Sequence, residues 1–261
     1  MKKLKVIAGN CILECMETSN KTAEFLADMS EKYDFELIYK SSFKKDNRSS
    51  IDYYTGLSLD ESIAIFEDLK RLFNLTLLTD FHNLYELDTE IVDVVDILQL
   101  PAFLSMQTEL TLAMARKNKG INIKKGQFLA PQDVKYIINK IESVGNENIM
   151  ITERGTSFGY HDLIADPRSI YELKKFGYPV IFDAGHCVRK YGVPSSMVTG
   201  GAKEYIPTLS KAMIAAGADG LFIELHPDFK NALCDSATQL SFSEFTDLLQ
   251  NIIPIWEVLY Q

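Results

Sequence analysis

Two sets of side chains in this sequence of 261 residues carry chemistry. The first is cationic: Lys40, Lys45 and Arg48 in KSSFKKDNRSS, Lys124 and Lys125 in NIKKGQF, and Arg154 in TERGTSFGY. A lysine inside an apolar strand carries a desolvation cost that a bound anion offsets, so converging cations point to one or two phosphates or carboxylates. Two other readings stand beside it: structural ion pairs to Asp80, Glu153 and Asp183, and a Schiff-base aldolase with one desolvated lysine as nucleophile. Several cations together favour anion binding. The second set is Cys11, His186, Glu224 and Asp235. Thiolate, imidazole and carboxylate are the ligands of a divalent transition metal, and the mixture suits Zn, Fe or Mn with a position left for water or substrate. No CxxC or HExxH spacing accompanies them, and a cysteine such as Cys11 is by default a small buried hydrophobe, the reading given to Cys15, Cys187 and Cys234. All four histidines, His82, His161, His186 and His226, fall just after an expected strand, which points to a polar site at one end of the fold.

The elements that must position these groups are legible as an alternation. Eight short apolar runs, Leu4–Gly9, Glu36–Ser41, Leu75–Asp80, Val95–Leu100, Ile121–Gly126, Ile149–Arg154, Pro179–Ala184 and Gly220–Leu225, read as strands. Amphipathic stretches lie between and after them, including Asn20–Tyr33, Leu59–Phe73, Gln132–Val144, Ala202–Ala216 and Ser243–Tyr260. Near-continuous apolar strands joined by helices belong to a parallel sheet covered by helices, and eight repeats allow closure into a (β/α)8 TIM barrel. An open doubly wound sheet would need a glycine-rich turn after the first strand, and AGNCILE is not GxGxxG. In a barrel the chemistry gathers where strands end, and there lie Cys11, Lys40, Asp80, Gln99, Lys124, Gln127, Glu153, Arg154, Asp183 and Glu224.

The composition, 46% hydrophobic and 24% charged with a mean hydropathy of -0.04, is that of one α/β domain spanning residues 1–261 and folding alone. A net charge of -9 argues against nucleic acid bound over a broad surface, while a small anion in a local basic pocket stays open. The four cysteines are too few for a disulfide scaffold, and MKKLKVIAGNCILEC lacks a small-residue cleavage site, so a reducing cytoplasm is expected. No apolar run approaches the roughly 20 residues of a membrane span.

At these segments the chain resembles the 3-deoxy-D-manno-octulosonate 8-phosphate synthases, within the superfamily that condenses phosphoenolpyruvate with aldoses. The matching stretches run over nearly the whole chain: AGNC-ILE (AGPC-IES in the family), KSSFKKDNRSS, QLPAFL, NIKKGQFLAP, ERGTSFGY, FDAGH (FDATH), and GLFIELHPD followed by ALCDSATQL. The related heptulosonate branch would show KPRTSPY where this chain has NRSS. The resemblance implies a transferase of carbohydrate and lipopolysaccharide biosynthesis that joins phosphoenolpyruvate to an aldose phosphate, such as arabinose 5-phosphate. The implied phosphoenolpyruvate contacts are Lys40, Lys45, Gln99, Lys124 and Arg154, with Gln127 beside them. Asn47, Arg48 and Ser49 would face the aldose, and Arg48 and Ser49 its phosphate. Cys11, His186, Glu224 and Asp235 would be the ligands of the metal-dependent subclass, with His186 and Asp235 also able to relay protons. A divalent metal, no nucleotide or organic cofactor, and a homotetramer follow from the same resemblance.

The chain also departs from the family. PAFLCRQTDL reads PAFLSMQTEL here, so an arginine that reaches a neighbouring subunit's sugar phosphate becomes Met106. HSVQxPGG becomes HCVRKYGV, introducing Arg189 and Lys190; TDxHE becomes TDFHN, and FGYN becomes FGYH at His161. Compensation by Arg189, an acceptor without the terminal phosphate, and a non-catalytic sugar-phosphate sensor are the alternatives these changes raise.

Overall fold

Each apolar run forms a strand: β1 (Lys5–Gly9), β2 (Glu36–Lys40), β3 (Thr76–Asp80), β4 (Ile97–Leu100), β5 (Gly120–Lys124), β6 (Ile149–Glu153), β9 (Val180–Asp183) and β10 (Gly220–Glu224). All pair in parallel and close in the order β1-β10-β9-β6-β5-β4-β3-β2. The structure is a computed structural model and describes residues 2–48, 50–194 and 197–260. Helices α1 (Met16–Tyr33), α2 (Leu59–Phe73), α3 (Ile91–Val94), α4 (Thr108–Ala115), α5 (Val134–Glu142), α6 (Pro167–Lys174), α7 (Ile206–Ala215) and α8 (Phe242–Tyr260) accompany the strands. This is the (β/α)8 barrel that the alternation predicts. Among the described residues no helix is long and apolar enough to cross a membrane.

Local chemistry explains the helix boundaries. The Ser58 hydroxyl accepts from the Glu61 amide while the Glu61 carboxylate accepts from the Ser58 amide, a capping box that starts α2. Val134, Ile137, Ile138 and Ile141 recur at helical spacing and bury one face of α5. Three differences from the sequence reading have physical causes. Helix α1 begins at Met16 rather than Asn20, because its polar first turn is helix-compatible without being apolar. The stretches from Gln132 and Ala202 open with 3-10 turns, Pro131–Asp133 and Lys203–Tyr205. A hairpin, β7 (Thr156–Ser157) with β8 (Leu163–Ile164), was too short to carry a period.

Strand side chains alternate between faces, and here the alternation separates a packed floor from a polar rim. Ile7, Ile38, Leu78, Ile97, Met150, Ile181 and Phe222 pack together as one cluster inside the barrel. The intervening Val6, Tyr39, Leu77, Leu98, Ile151 and Leu221 belong to the larger core shared with the helices. Two residues beyond the floor the strands carry Lys40, Asp80, Gln99, Thr152, Asp183 and Glu224, all buried. Strand β5 adds Asn122 and Lys124. Gly9 takes the same level in β1: a Cβ there would lie 2.2 Å from the Lys40 carbonyl oxygen, so glycine lets the two strands meet beside the rim.

Candidate active site

The rim gathers four buried cations, Lys40, Lys45, Lys124 and Arg154. Together with Asn47 and Gln99 they line a small chamber of about 40 Å³. The Lys40 ammonium donates to the Ser42 hydroxyl at 2.9 Å and the Cys11 carbonyl at 3.3 Å. It also lies 3.7 Å from Asp80 and 3.6 Å from Glu224. Lys124 pairs with Asp183, and its nitrogen stands 3.1 Å from the centre of the Phe222 ring. Burial lowers its pKa to about 8, against the pull of Asp183. Burial also opposes the charge on Lys45, yet Cys11, Asp80, Cys234 and Glu224 raise its pKa well above the ordinary lysine value. Arg154 donates to the Tyr191 hydroxyl, while its Nε is buried with no hydrogen-bond partner among the described residues.

The ion pairs anticipated from sequence are present and insufficient. Asp80 and Asp183 of the chamber lining face the four cations, and Glu224, 3.6 Å from Lys40, is a third carboxylate beside them. The first two carboxyls are held well below their ordinary pKa despite burial, Asp80 by Lys40 and Lys45, and Asp183 by His186 and Lys124. An excess of positive charge is left for an anion. Lys125 is separate: its ammonium donates to the carbonyls of Gly126, Leu129 and Gly155 and lies 3.5 Å from Glu153, on the other face of the barrel wall.

Beside the cations, two overlapping groups of metal-ligand types share one carboxylate: His186, Glu224 and Asp235, and Cys11, Cys234 and Asp235. The Nδ1 of His186 is 2.9 Å from Asp183, which leaves Nε2 4.0 Å from Glu224 Oε1. That Glu224 oxygen is buried and has no hydrogen-bond partner among the described residues. A second carboxylate orienting a histidine toward buried donors is a metal-site arrangement, and the donor set fits a divalent transition metal. Burial raises the Cys11 thiol well above its ordinary pKa, and contact with Cys234 adds to this; a bound cation would reverse it.

A larger cavity, about 570 Å³, shares Lys45, Asn47, Phe103, Arg154 and His186 with the chamber. Arg48 and Arg189 line its outer part. Arg48 holds the Tyr54 carbonyl at 2.7 and 2.9 Å and donates to Cys234 Sγ at 3.0 Å. Arg189 pairs with Asp235, whose pKa is lowered despite burial, chiefly by that guanidinium and then by His186 and Lys45. The Tyr191 hydroxyl accepts from Gln127 at 2.8 Å as well as from Arg154.

The structure thus brings Lys40, Lys45, Asn47, Gln99, Lys124 and Arg154 to one chamber, with Arg48 in the adjoining cavity and Cys11, His186, Glu224 and Asp235 alongside; Gln127 lines neither space and meets the site only through its hydrogen bond to Tyr191. Ser49 lies outside the described residues. The histidines do not converge as their spacing suggested. His226 pairs with Glu14 at 3.2 Å, His82 is buried 3.4 Å from Asp80, and exposed His161 sits in the turn between β7 and β8 with a φ of 65°. Only His186 joins the ligand groups, because position after a strand does not fix which way a loop side chain turns. Sequence reasoning missed Cys234 and Tyr191. Cys234 neighbours Asp235, but neighbours in extended chain face opposite ways; the left-handed φ of 46° at Asp235 removes that rule here.

Residues 2–256 match the family model described as the DAHP synthetase I family. A 2-dehydro-3-deoxyphosphooctonate aldolase of Protochlamydia amoebophila (strain UWE25) is 44% identical over 256 residues, covering 98% of this chain and 92% of that protein. Proteins of the same name from Legionella pneumophila (strain Lens) and Francisella tularensis subsp. holarctica (strain LVS) are 43% and 42% identical, each covering 96% of this chain and 91% and 92% of their own lengths. With the family match running through every barrel strand, the chain belongs to the DAHP synthetase I family.

Proposed function

We propose that this chain condenses phosphoenolpyruvate with an aldose phosphate, arabinose 5-phosphate or a close relative, and water. The products are a 3-deoxy-2-ulosonate phosphate and inorganic phosphate. The observation that carries this reading is the chamber in which four cations meet three carboxylates, Asp80, Asp183 and Glu224, opening beside a ligand cluster into a cavity with two further arginines. The name of the relatives, 2-dehydro-3-deoxyphosphooctonate aldolase, supports the same chemistry.

Lys40, Lys45, Lys124 and Arg154 hold the phosphate and carboxylate of phosphoenolpyruvate against their mutual repulsion, with Gln99 at the edge and Gln127 acting through Tyr191. Asn47, Arg48 and Arg189 orient the acceptor so that its aldehyde carbon meets C3 of the enolpyruvate. The C3–C1 bond forms, a water oxygen bonds to C2, and a proton from that water passes to the aldehyde oxygen. The bond from C2 to the phosphate oxygen then breaks, phosphate leaves with the electron pair, and the C2 hydroxyl passes its proton to the departing phosphate as it becomes the ketone. Cys11, His186, Glu224 and Asp235 would hold a divalent Zn, Fe or Mn, which supplies Lewis-acid polarisation of the aldehyde or orientation of the water. Asp183 fixes the His186 ring through Nδ1. The free state of all four cysteines fits a cytoplasmic enzyme, and the resemblance in sequence supports a homotetramer.

The test is release of inorganic phosphate by the pure protein supplied with Zn or Mn, phosphoenolpyruvate and a panel of four- to six-carbon aldoses and aldose phosphates. Products are identified by mass spectrometry. No release with any acceptor refutes the synthase reading, and calorimetric binding without turnover identifies a sensor instead. Full activity of Cys11→Ser in the presence of a chelator refutes the metal.

A further inference from the structure

Cys234 lies in the metal cluster without a role in the reading above. Its sulfur is 2.8 Å from that of Cys11, and both sulfurs are 3.2 Å from Asp235 Oδ2, so three donor atoms form one compact triangle. Consecutive residues donate to one point because Asp235 takes a left-handed φ of 46°. The turn is closed by the Thr238 and Gln239 amides on the Asp235 carbonyl, and the Gln239 side chain donates to the Cys234 carbonyl at 2.6 Å. The Cys234 thiol is buried, and a guanidinium nitrogen of Arg48 points at its sulfur from 3.0 Å.

We propose that Cys234 is a ligand of the metal, so that the centre is a two-thiolate site built on Cys11, Cys234 and Asp235, with His186 and Glu224 completing the donors. The proposal rests on the metal reading given above and adds a ligand to it. Two sulfurs on one tetrahedral zinc-like ion, each at about 2.3 Å, stand about 3.8 Å apart, so the two sulfurs, 2.8 Å apart without an ion, need only separate by about 1 Å to share one. Arg48 beside Cys234 and Lys45 near both sulfurs, together with Arg189 on Asp235, supply the positive charge that lets two thiolates and a carboxylate share a buried space. A second soft donor shifts the centre toward Zn and Co and away from Mn, because thiolates discriminate against harder ions.

The experiment is anaerobic titration of the reduced protein with Co(II), following sulfur-to-cobalt charge-transfer absorption in the near ultraviolet per bound ion. Cys234→Ser and Cys11→Ser are each expected to retain about half of the wild-type intensity, as one of two thiolates is removed. The double variant should retain none. Circular dichroism checks that each variant is folded, and Cys234→Ala serves where the serine hydroxyl binds in place of sulfur. Full intensity in both Cys234 variants overturns the proposal while leaving Cys11 as a ligand. Wild-type protein that binds Co(II) with no sulfur band overturns the metal reading itself. In competitive dialysis of wild type against Cys234→Ser, loss of Zn-over-Mn preference in the variant supports the second thiolate, and an unchanged preference counts against it.

Discussion

The guanidinium of Arg189, carried by the loop after β9, pairs with the carboxylate of Asp235, and both side chains are largely withdrawn from solvent. This places a cation at the outer cavity in a chain whose Met106, 40% exposed, stands where the resemblance in sequence implies an arginine. If Arg189 serves the acceptor's phosphate, Arg189→Gln removes a charge-assisted contact of about 1.5 to 3 kcal/mol. The KM for a phosphorylated aldose then rises roughly tenfold to hundredfold. The KM for phosphoenolpyruvate and for unphosphorylated aldoses stays close to the parent value. Steady-state kinetics with paired phosphorylated and free aldoses decides it, and equal losses for both refute a phosphate contact.

Lys124 sets a pH limit on the donor substrate. Its pKa of about 8 is lowered by burial, with Arg154 and Lys40 adding like-charge repulsion, and Asp183 only partly restores it. A lysine is a cation below its pKa, so the chamber loses one positive charge as pH rises through 8. The kcat/KM for phosphoenolpyruvate should fall on the alkaline side with an apparent pKa near 8, since that ratio reports the free enzyme. Lys124→Arg, which stays charged, should move this limb beyond the measurable range even if its maximum rate is lower. A wild-type profile that stays flat from about pH 7 to about pH 10 contradicts the assignment.

Much of this arrangement was legible because the barrel repeats one rule eight times. The apolar period fixes each strand, and a polar residue two places past the floor, as Lys40 follows Ile38 and Asp183 follows Ile181, must enter the barrel mouth. What lay outside that rule was not legible. Cys234 and Asp235 converge through one left-handed residue that no period announces. Tyr191 reaches Arg154 from a loop whose course depends on packing: a Cβ on Gly192 would lie 2.6 Å from the His161 ring, so the β7–β8 hairpin abuts this loop. His161, which spacing alone grouped with the site, therefore meets the loop and not the chamber.

Asp183 joins the two halves of the site and allows one substitution to test both. It pairs with Lys124 on one side and lies 2.9 Å from His186 Nδ1 on the other. Asp183→Asn keeps the size of the side chain and removes its charge. Without that charge nothing so close offsets burial at Lys124, so its pKa should fall further below 8 and the alkaline limb of kcat/KM should move to lower pH. The imidazole also loses the carboxylate that fixes its tautomer and ring orientation, which should weaken metal binding by about 10- to 100-fold. Metal-buffered activity assays and a pH profile on the same variant read the two effects separately. A shifted limb with unchanged metal affinity keeps Lys124 in the chamber and removes His186 from the metal; weaker metal binding with an unmoved limb does the reverse.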